Sequence, residues 1–235
     1  MATDTNDPSP LPEPETPQAR AAQDRRIAKD ISLSEQQIKA GAGEVEAAPE
    51  LAEGGYTPEV FATVATPLQV EALNKFAARQ AADGAKTAAT AAVKTAEKSV
   101  RTLYTKDRNL GRSAFQRDAA AREALGLAGR APQSLDELIT VARTLAKEGQ
   151  GNQLYAARLA SKAVTAAKLT QLSKAIDALV TANLAQEAAI AAVPQATKER
   201  DLAYQALKAW MSEYRAFAKA QLKDRPDVLK RLLLV

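Results

Sequence analysis

The sequence contains neither histidine nor cysteine. It therefore cannot form disulfides, has no thiol nucleophile or zinc site built on Cys or His, and lacks the side chain most often used as a general base. Aromatic residues make up only 4% of the chain, so we do not expect a core of large side chains. Carboxylates remain as the candidates for catalytic or metal chemistry.

The carboxylates do not form a pattern that suits such chemistry. Glu199 and Asp201 are two residues apart and would diverge on a helix. Asp136 with Glu137 suits the first turn of a helix, where acids complement the helix dipole. Asp224 and Asp227 flank a proline and indicate a helix break. We therefore predict no catalytic residues, no metal site and no cofactor, and we expect that the chain is not an enzyme.

Alanine is abundant, at 53 of 235 residues. Alanine is the best helix former and contributes little buried area, so helices should meet at close spacing along a thin seam. The sequence predicts an all-α fold: a long antiparallel helical hairpin or coiled coil, or a four-helix-bundle-like body. In the hairpin, the alanine-rich middles of the two long helices would lie opposite each other.

The N-terminal part differs in composition from the rest. Residues 1–56 hold 5 basic and 11 acidic residues, and the first seventeen include five prolines. This predicts a disordered, acidic, Pro-rich tail over residues 1–29, followed by a loosely docked arm over 30–56 in which Ser34 and Gln37 begin a weak helix. The start does not resemble a signal peptide, and no long run of strongly apolar residues occurs. We expect a cytoplasmic protein without a transmembrane segment.

Helix start and stop signals predict that residues 57–235 form one helical body of several helices. Thr57-Pro58-Glu59 predicts a helix over 57–125, which Pro67 should kink. Gly126 and Pro132 predict a connector over 126–134, and Ser134 with Glu137 predicts a capping box for a short helix over 135–148. We expect a long helix over 152–223, kinked at Pro194, with a broken helix as the alternative. A C-terminal turn should follow over 226–234.

The predicted helix over 152–223 carries two apolar ladders at helical spacing. Their members are Leu169, Leu172, Ile176 and Leu179, and then Leu207, Trp210, Tyr214, Phe217 and Gln221. Such spacing is typical of a helix that packs against a partner helix. Trp210, Tyr214 and Phe217 could form either core or an interaction surface, and heptad spacing favours core. Asn183 and Gln186 continue the first ladder as polar members, which can fix register or oligomeric state.

Basic residues are spaced so that they share one face of the first long helix. They are Lys94, Lys98, Arg101, Arg108 and Arg112. Such a face could bind the phosphates of nucleic acid or of an anionic surface. The sequence has no interleaved aromatics for base stacking and no groove-reading motif, so an ordinary solvated face is the alternative interpretation.

Three segments resemble a group of uncharacterised bacterial Ala-rich helical-bundle proteins. The segments are Leu125-Gly126-Leu127-x-Gly129-Arg130-x-Pro132-x-Ser134-Leu135, Trp210-Met211-Ser212-x-Tyr214-Arg215-x-Phe217-Ala218 and Leu222-x-Asp224-x-Pro226-x-x-Leu229. The resemblance covers about residues 57–234. It implies a bacterial source and a non-catalytic helical body, with no established function or site residues.

Two functions remain as hypotheses. The first is a non-catalytic helical scaffold or adaptor that binds a protein partner or forms a homo-oligomer. The second is a sequence-independent polyanion binder that uses the basic face from Lys94 to Arg112, with the acidic tail competing for that face.

Overall fold

The computed structural model describes residues 16–235. Those residues form helices joined by short connections, with no strand among them, which confirms the all-α prediction. The chain divides into two compact units. Unit 1 holds residues 16–83 and 192–235, and unit 2 holds residues 84–191. The helices α4 (Thr66–Ala114) and α8 (Ala166–Gln221) each contribute to both units.

Unit 1 begins with α1 (Pro17–Gly43), a helix of 27 residues. The Thr16 hydroxyl caps it by accepting from the backbone N–H of Ala19 at 3.2 Å, and Pro17 stands at its start. Ile27, Ile31, Ser34, Ile38 and Gly41 are buried at alternating steps of four and three, so one face of α1 lies in the core. The predicted disordered tail is therefore wrong for residues 17–29, while residues 1–15 lie outside the described part.

The predicted loosely docked arm over residues 30–56 is also wrong. Ser34 does not start a helix but lies inside α1, where its hydroxyl donates to the Asp30 carbonyl at 2.8 Å. The helix continues through Gly41 to Gly43. A Cβ at position 41 would come within 2.6 Å of the Phe61 ring, so glycine allows the close approach of that ring. A short α2 (Ala48–Glu53) follows and buries Leu51 in the same core.

The next helical stretch starts at α3 (Pro58–Val60), where Thr57 accepts from the backbone N–H of Val60 at 3.3 Å. A π-helical segment (Phe61–Ala65) joins α3 to α4 and ends two residues before Pro67. Since proline has no N–H to donate, it disturbs the regular hydrogen-bond ladder of the preceding turn. The C-terminal part of unit 1 consists of the end of α8 and α9 (Pro226–Arg231), after which Leu232 and Leu234 return to the core.

In unit 2, the helix predicted over 57–125 ends earlier, with α4 at Ala114. A new helix, α5 (Ala119–Ala124), begins after Asp118, whose carboxylate accepts from the Ala121 N–H at 2.9 Å. Gly126 and Gly129 follow with φ angles of +64° and +68°, conformations that favour glycine. Ser134 accepts from the Glu137 N–H at 3.1 Å and starts α6 (Leu135–Gly151).

The prediction of one helix over 152–223 is wrong at one place. Residues 161–165 interrupt the helix and separate α7 (Gln153–Ala160) from α8. Ala163 adopts a φ of +63° there, and the Val164 N–H donates back to the Leu159 carbonyl at 3.0 Å. At Pro194, by contrast, α8 runs on as one helix. The ladder of Leu169, Leu172, Ile176 and Leu179 is buried in the unit 2 core.

Candidate functional sites

The aromatic residues of α8 pack into the interior of unit 1. Tyr214 is fully buried, and its ring centroid lies 5.2 Å from those of both Tyr56 and Phe61. Trp210 and Phe217 are half-buried and contact Tyr56 at centroid distances of 5.6 and 5.4 Å. The rings pack directly against one another. This packing favours core rather than an interaction surface as the role of Trp210, Tyr214 and Phe217.

The Tyr214 hydroxyl is buried, and it has no hydrogen-bond partner among residues 16–235. Burial raises its pKa, and the nearby Glu44 carboxylate and Tyr56 add to that rise. The group is therefore neutral and costs free energy by being taken out of water without a partner.

The Tyr214→Phe substitution should therefore leave the free energy of unfolding unchanged or raise it by up to about 2 kcal/mol. Tyr204→Phe is the matched control, since the Tyr204 hydroxyl donates to the Asp30 carboxylate at 2.5 Å. We expect that control to lose about 1.5–3 kcal/mol. Urea denaturation followed by tryptophan fluorescence measures the free energy of unfolding of both variants. A clear decrease for Tyr214→Phe would contradict the absence of a hydrogen-bond partner for the Tyr214 hydroxyl.

A polar network joins α1 to α8 in the same unit. Arg200 is buried and binds Asp24 at 2.5 Å and Asp201 at 2.7 Å. Gln37, the other member of the predicted cap, accepts from Arg215 Nε at 2.8 Å and donates to the Leu233 carbonyl at 2.7 Å. Sequence reasoning did not find the contacts of Arg200 with Asp24 and of Arg215 with Gln37, because the partners are more than 170 residues apart in the chain.

The acidic residues that follow α1 pair with the C-terminal part of unit 1. Arg231 binds Glu44 at 3.1 Å and Glu46 at 2.6 Å, and Arg225 binds Glu50 at 3.1 Å. Hydrogen bonding from Arg231 lowers the pKa of Glu44. These acids stabilise the docked N-terminal segment, so they are not a free acidic arm that could compete for a basic face elsewhere.

The predicted basic face is open to solvent only in part. Arg108 is 7% exposed and donates from Nη2 to the Gly129 carbonyl at 2.7 Å, while Arg101 donates to the Pro132 carbonyl at 3.0 Å and pairs with Glu97 at 2.7 Å. Lys94 and Lys98 are exposed, and Arg112 is half-buried. The helical spacing is real, but the connector over residues 126–134 packs against this side of α4.

In unit 2, α8 presents a surface with few charges. Residues 178–191 contain one charged side chain, Glu187, and both Leu184 and Ile190 are exposed, at 61% and 46%. Gln186 donates to the Thr90 hydroxyl at 3.1 Å and Asn183 to Glu187 at 2.9 Å, so the polar members of the ladder are satisfied within the chain.

One 18-residue window of α8 has a mean hydropathy of 1.3, and 11% of it is buried. By length and composition α8 could cross a membrane, which the sequence analysis did not expect. A single helix of this kind is weak evidence for a span.

Within residues 16–235 no group of three or more carboxylates has an arrangement that could hold a metal ion. Of the close acid pairs, Glu199 binds Lys75 at 2.8 Å, and Glu137 accepts from the backbone N–H of Gln133 at 2.8 Å. Hydrogen bonds from Lys75 and Gln195 lower the pKa of Glu199. These carboxylates are occupied in ion pairs and helix capping.

Comparisons with protein-family models, with curated proteins and with solved structures gave no match. The resemblance to bacterial helical-bundle proteins therefore stays a prediction.

Proposed function

We propose that the protein is a non-catalytic helical scaffold that associates with a second copy of itself through the apolar surface of α8 in unit 2. The observation that carries this proposal is the exposure of Leu184 and Ile190 in a segment with one charge among fourteen residues. Apolar surface that is left in water is stabilised when a partner covers it.

The composition of this surface favours a second copy as the occupant. Alanine at 182, 185, 188, 189 and 191 allows close approach of another helix, and the neighbouring α4 segment, residues 84–93, also carries a single charge, Lys86. Glu187 and Lys86 have opposite signs, so a symmetric pairing can bring α8 of one copy near α4 of the other without like-charge repulsion. A closed pair of this kind needs only one self-complementary surface.

Within unit 1 of each copy, the proposed scaffold pairs α4 with α8 in antiparallel order. In unit 1, Lys75 pairs with Glu199 at 2.8 Å, and Arg79 donates to Thr197 at 2.7 Å. As the residue number rises along α4, the partner number falls along α8, which is the order expected for antiparallel helices.

The test is the oligomeric state of the Leu184→Glu/Ile190→Glu double variant. Burying each of these side chains contributes about 1.5–3 kcal/mol, so their replacement by glutamate should weaken self-association at least about a hundredfold. Sedimentation equilibrium over a range of concentrations, with the wild-type chain alongside, gives the dissociation constants.

Leu154→Glu is the matched control, because Leu154 is 76% exposed on α7 of the same unit and lies outside the proposed surface. It should associate like the wild type. A wild-type chain that stays monomeric throughout, or a double variant that associates as well as Leu154→Glu, would contradict the proposal.

A further inference from the structure

Two open cavities adjoin each other beside the C-terminal end of α6 in unit 2. The first has a volume of about 450 Å³ and the second a volume of about 440 Å³. Gln150 lines both of them, so the two cavities are neighbours along α6. Small-molecule sites in proteins usually occupy about 300–1,000 Å³, and each of these cavities falls in that range.

The first cavity is lined mainly by basic and polar side chains. Arg143 and Lys147 lie one turn apart on α6, and Gln150 and the Ser173 hydroxyl of α8 complete the polar lining. Within residues 16–235 the side chains of Arg143, Lys147 and Ser173 have no hydrogen-bond or ion-pair partner. No acidic residue of that part of the chain lines the cavity, so its charge favours an anion.

The second cavity is lined mainly by apolar side chains. Val164 and Leu169 are both 1% exposed and supply its buried wall. The side that α7 contributes consists of small side chains, which do not fill the space: Ala156, Ala157 and Ala160. Water in contact with such a lining finds few hydrogen-bond partners, so an apolar group that displaces it is favoured.

The two cavities follow one another along α8. Leu169 lines the apolar cavity, and Ser173, four residues or about one helical turn further on, lines the basic one. Ala166, at the far end of the apolar cavity, is seven residues from Ser173. At about 1.5 Å per residue this distance is about 10 Å, close to the extended length of an alkyl chain of about eight carbons.

We propose that the two cavities together bind a single-chain amphiphile with an anionic head group, either a medium-chain carboxylate or the corresponding alkyl phosphate. The head group accepts hydrogen bonds from Arg143, Lys147 and Ser173, and the alkyl chain covers Val164 and Leu169. Guanidinium and ammonium groups form strong charge-assisted hydrogen bonds with carboxylate and phosphate oxygens. Covering the apolar wall removes its surface from water.

Sodium octanoate is the first probe, titrated into the isotopically labelled full chain at constant ionic strength and followed by amide NMR spectra. Acetate has the same head group without the chain, and octanol has the chain without the charge. Octanoate should bind at least about tenfold more tightly than either, because it alone occupies both cavities. Octyl phosphate distinguishes the head groups, since tighter binding than octanoate indicates a phosphate ester and weaker binding a carboxylate.

The Arg143→Gln/Lys147→Gln double variant tests the basic cavity. It should weaken octanoate binding at least about tenfold, because it removes the charge-assisted hydrogen bonds to the head group. Lys106→Gln/Arg117→Gln is the matched control, since it removes the same charge from two exposed positions of unit 2 that line neither cavity. Salt screens such distant charges, so the control should bind octanoate within about twofold of the wild type.

Ala157→Leu tests the apolar cavity, because the larger side chain occupies the space that the alkyl chain needs. It should weaken octanoate binding at least about tenfold and leave acetate binding unchanged. Ala167→Leu is its control, since Ala167 is exposed on α8 and does not line the cavity. Far-UV circular dichroism checks that all the variants are folded.

Three results would overturn the proposal. One is the absence of amide shifts with both octanoate and octyl phosphate at millimolar concentration. Another is octanol binding as tight as that of octanoate, which would exclude a role for the two cations. The third is an equal affinity of the cavity variants and their controls, which would mean that the amphiphile binds elsewhere, for example on the apolar surface of residues 178–191.

Discussion

Replacing Ile31 with alanine should lower the free energy of unfolding of unit 1 by about 2–5 kcal/mol. Ile31 is 2% exposed on α1 and belongs to the core that includes Phe61, Tyr214 and Leu207. Truncation removes buried methyl and methylene groups and leaves a cavity that the neighbouring helices fill only in part. The single tryptophan, Trp210, lies in this unit, so urea denaturation followed by its fluorescence reports on the affected core.

The matched control lies two residues further along the same helix. Leu33 is 38% exposed, so Leu33→Ala should cost less than about 1 kcal/mol. The contrast between the two variants tests whether α1 is docked as the structure describes. Equal and small effects would mean that α1 stands away from the core, which is what the composition of the first thirty residues predicted.

Local signals in the sequence were sufficient for two of the helix starts, those of α3 and α6. Thr57 and Ser134 each offer a hydroxyl oxygen to a backbone N–H three residues on, and both were assigned from the residue types alone. Gly126 adopts the left-handed conformation that its place after a helical run suggested. In these cases the cause lies within four residues of the effect, so a sequence window contains it.

The position of α1 could not be predicted in the same way. Its buried residues do repeat at heptad spacing, and the steps from Ile27 through Ile31, Ser34 and Ile38 to Gly41 were a usable signal. The neighbouring prolines and acids obscured that signal. Polar contacts from Arg200, Tyr204 and Arg215 on α8 help to hold α1 in place. Each of these residues lies more than 170 positions from its partner on α1, so no local sequence pattern reveals the contact.

The break between α7 and α8 was missed for a different reason. Residues 161–165 contain no glycine or proline, and Ala163 adopts a positive φ that is unusual for alanine. Packing of Leu159, Val164 and Leu169 in the unit 2 core fixes this turn, so tertiary contacts override the local preference for helix.

The candidate binding residues show the limit of periodicity. Helical spacing placed Arg101, Arg108 and Arg112 on one face of α4, but it could not show that residues 126–134 cover that face. The loop turns an expected open surface for a polyanion into a partly buried group of arginines.

Replacing Arg200 with alanine should have the other large effect, a loss of about 3–5 kcal/mol in the free energy of unfolding of unit 1. The guanidinium group donates to Asp201 from Nε at 2.9 Å and from Nη2 at 2.7 Å, and Nη1 binds Asp24 on α1. Without it, the Asp201 carboxylate, whose side chain is 8% exposed, stays buried with its cationic partner removed. A buried unpaired charge is costly, whereas the net contribution of the intact pair is small.

That distinction can be measured with a second variant. Arg200→Met/Asp201→Leu removes both charges and keeps apolar volume, so it should recover most of the stability that Arg200→Ala loses. Lys75→Ala serves as the surface control, because the Lys75–Glu199 pair is more than a third exposed on each side and should cost less than about 1 kcal/mol. If Arg200→Ala behaves like Lys75→Ala in urea denaturation, the link between α1 and α8 is solvated. The docking of α1 would then depend on its other contacts, chiefly the buried Ile27, Ile31 and Ile38.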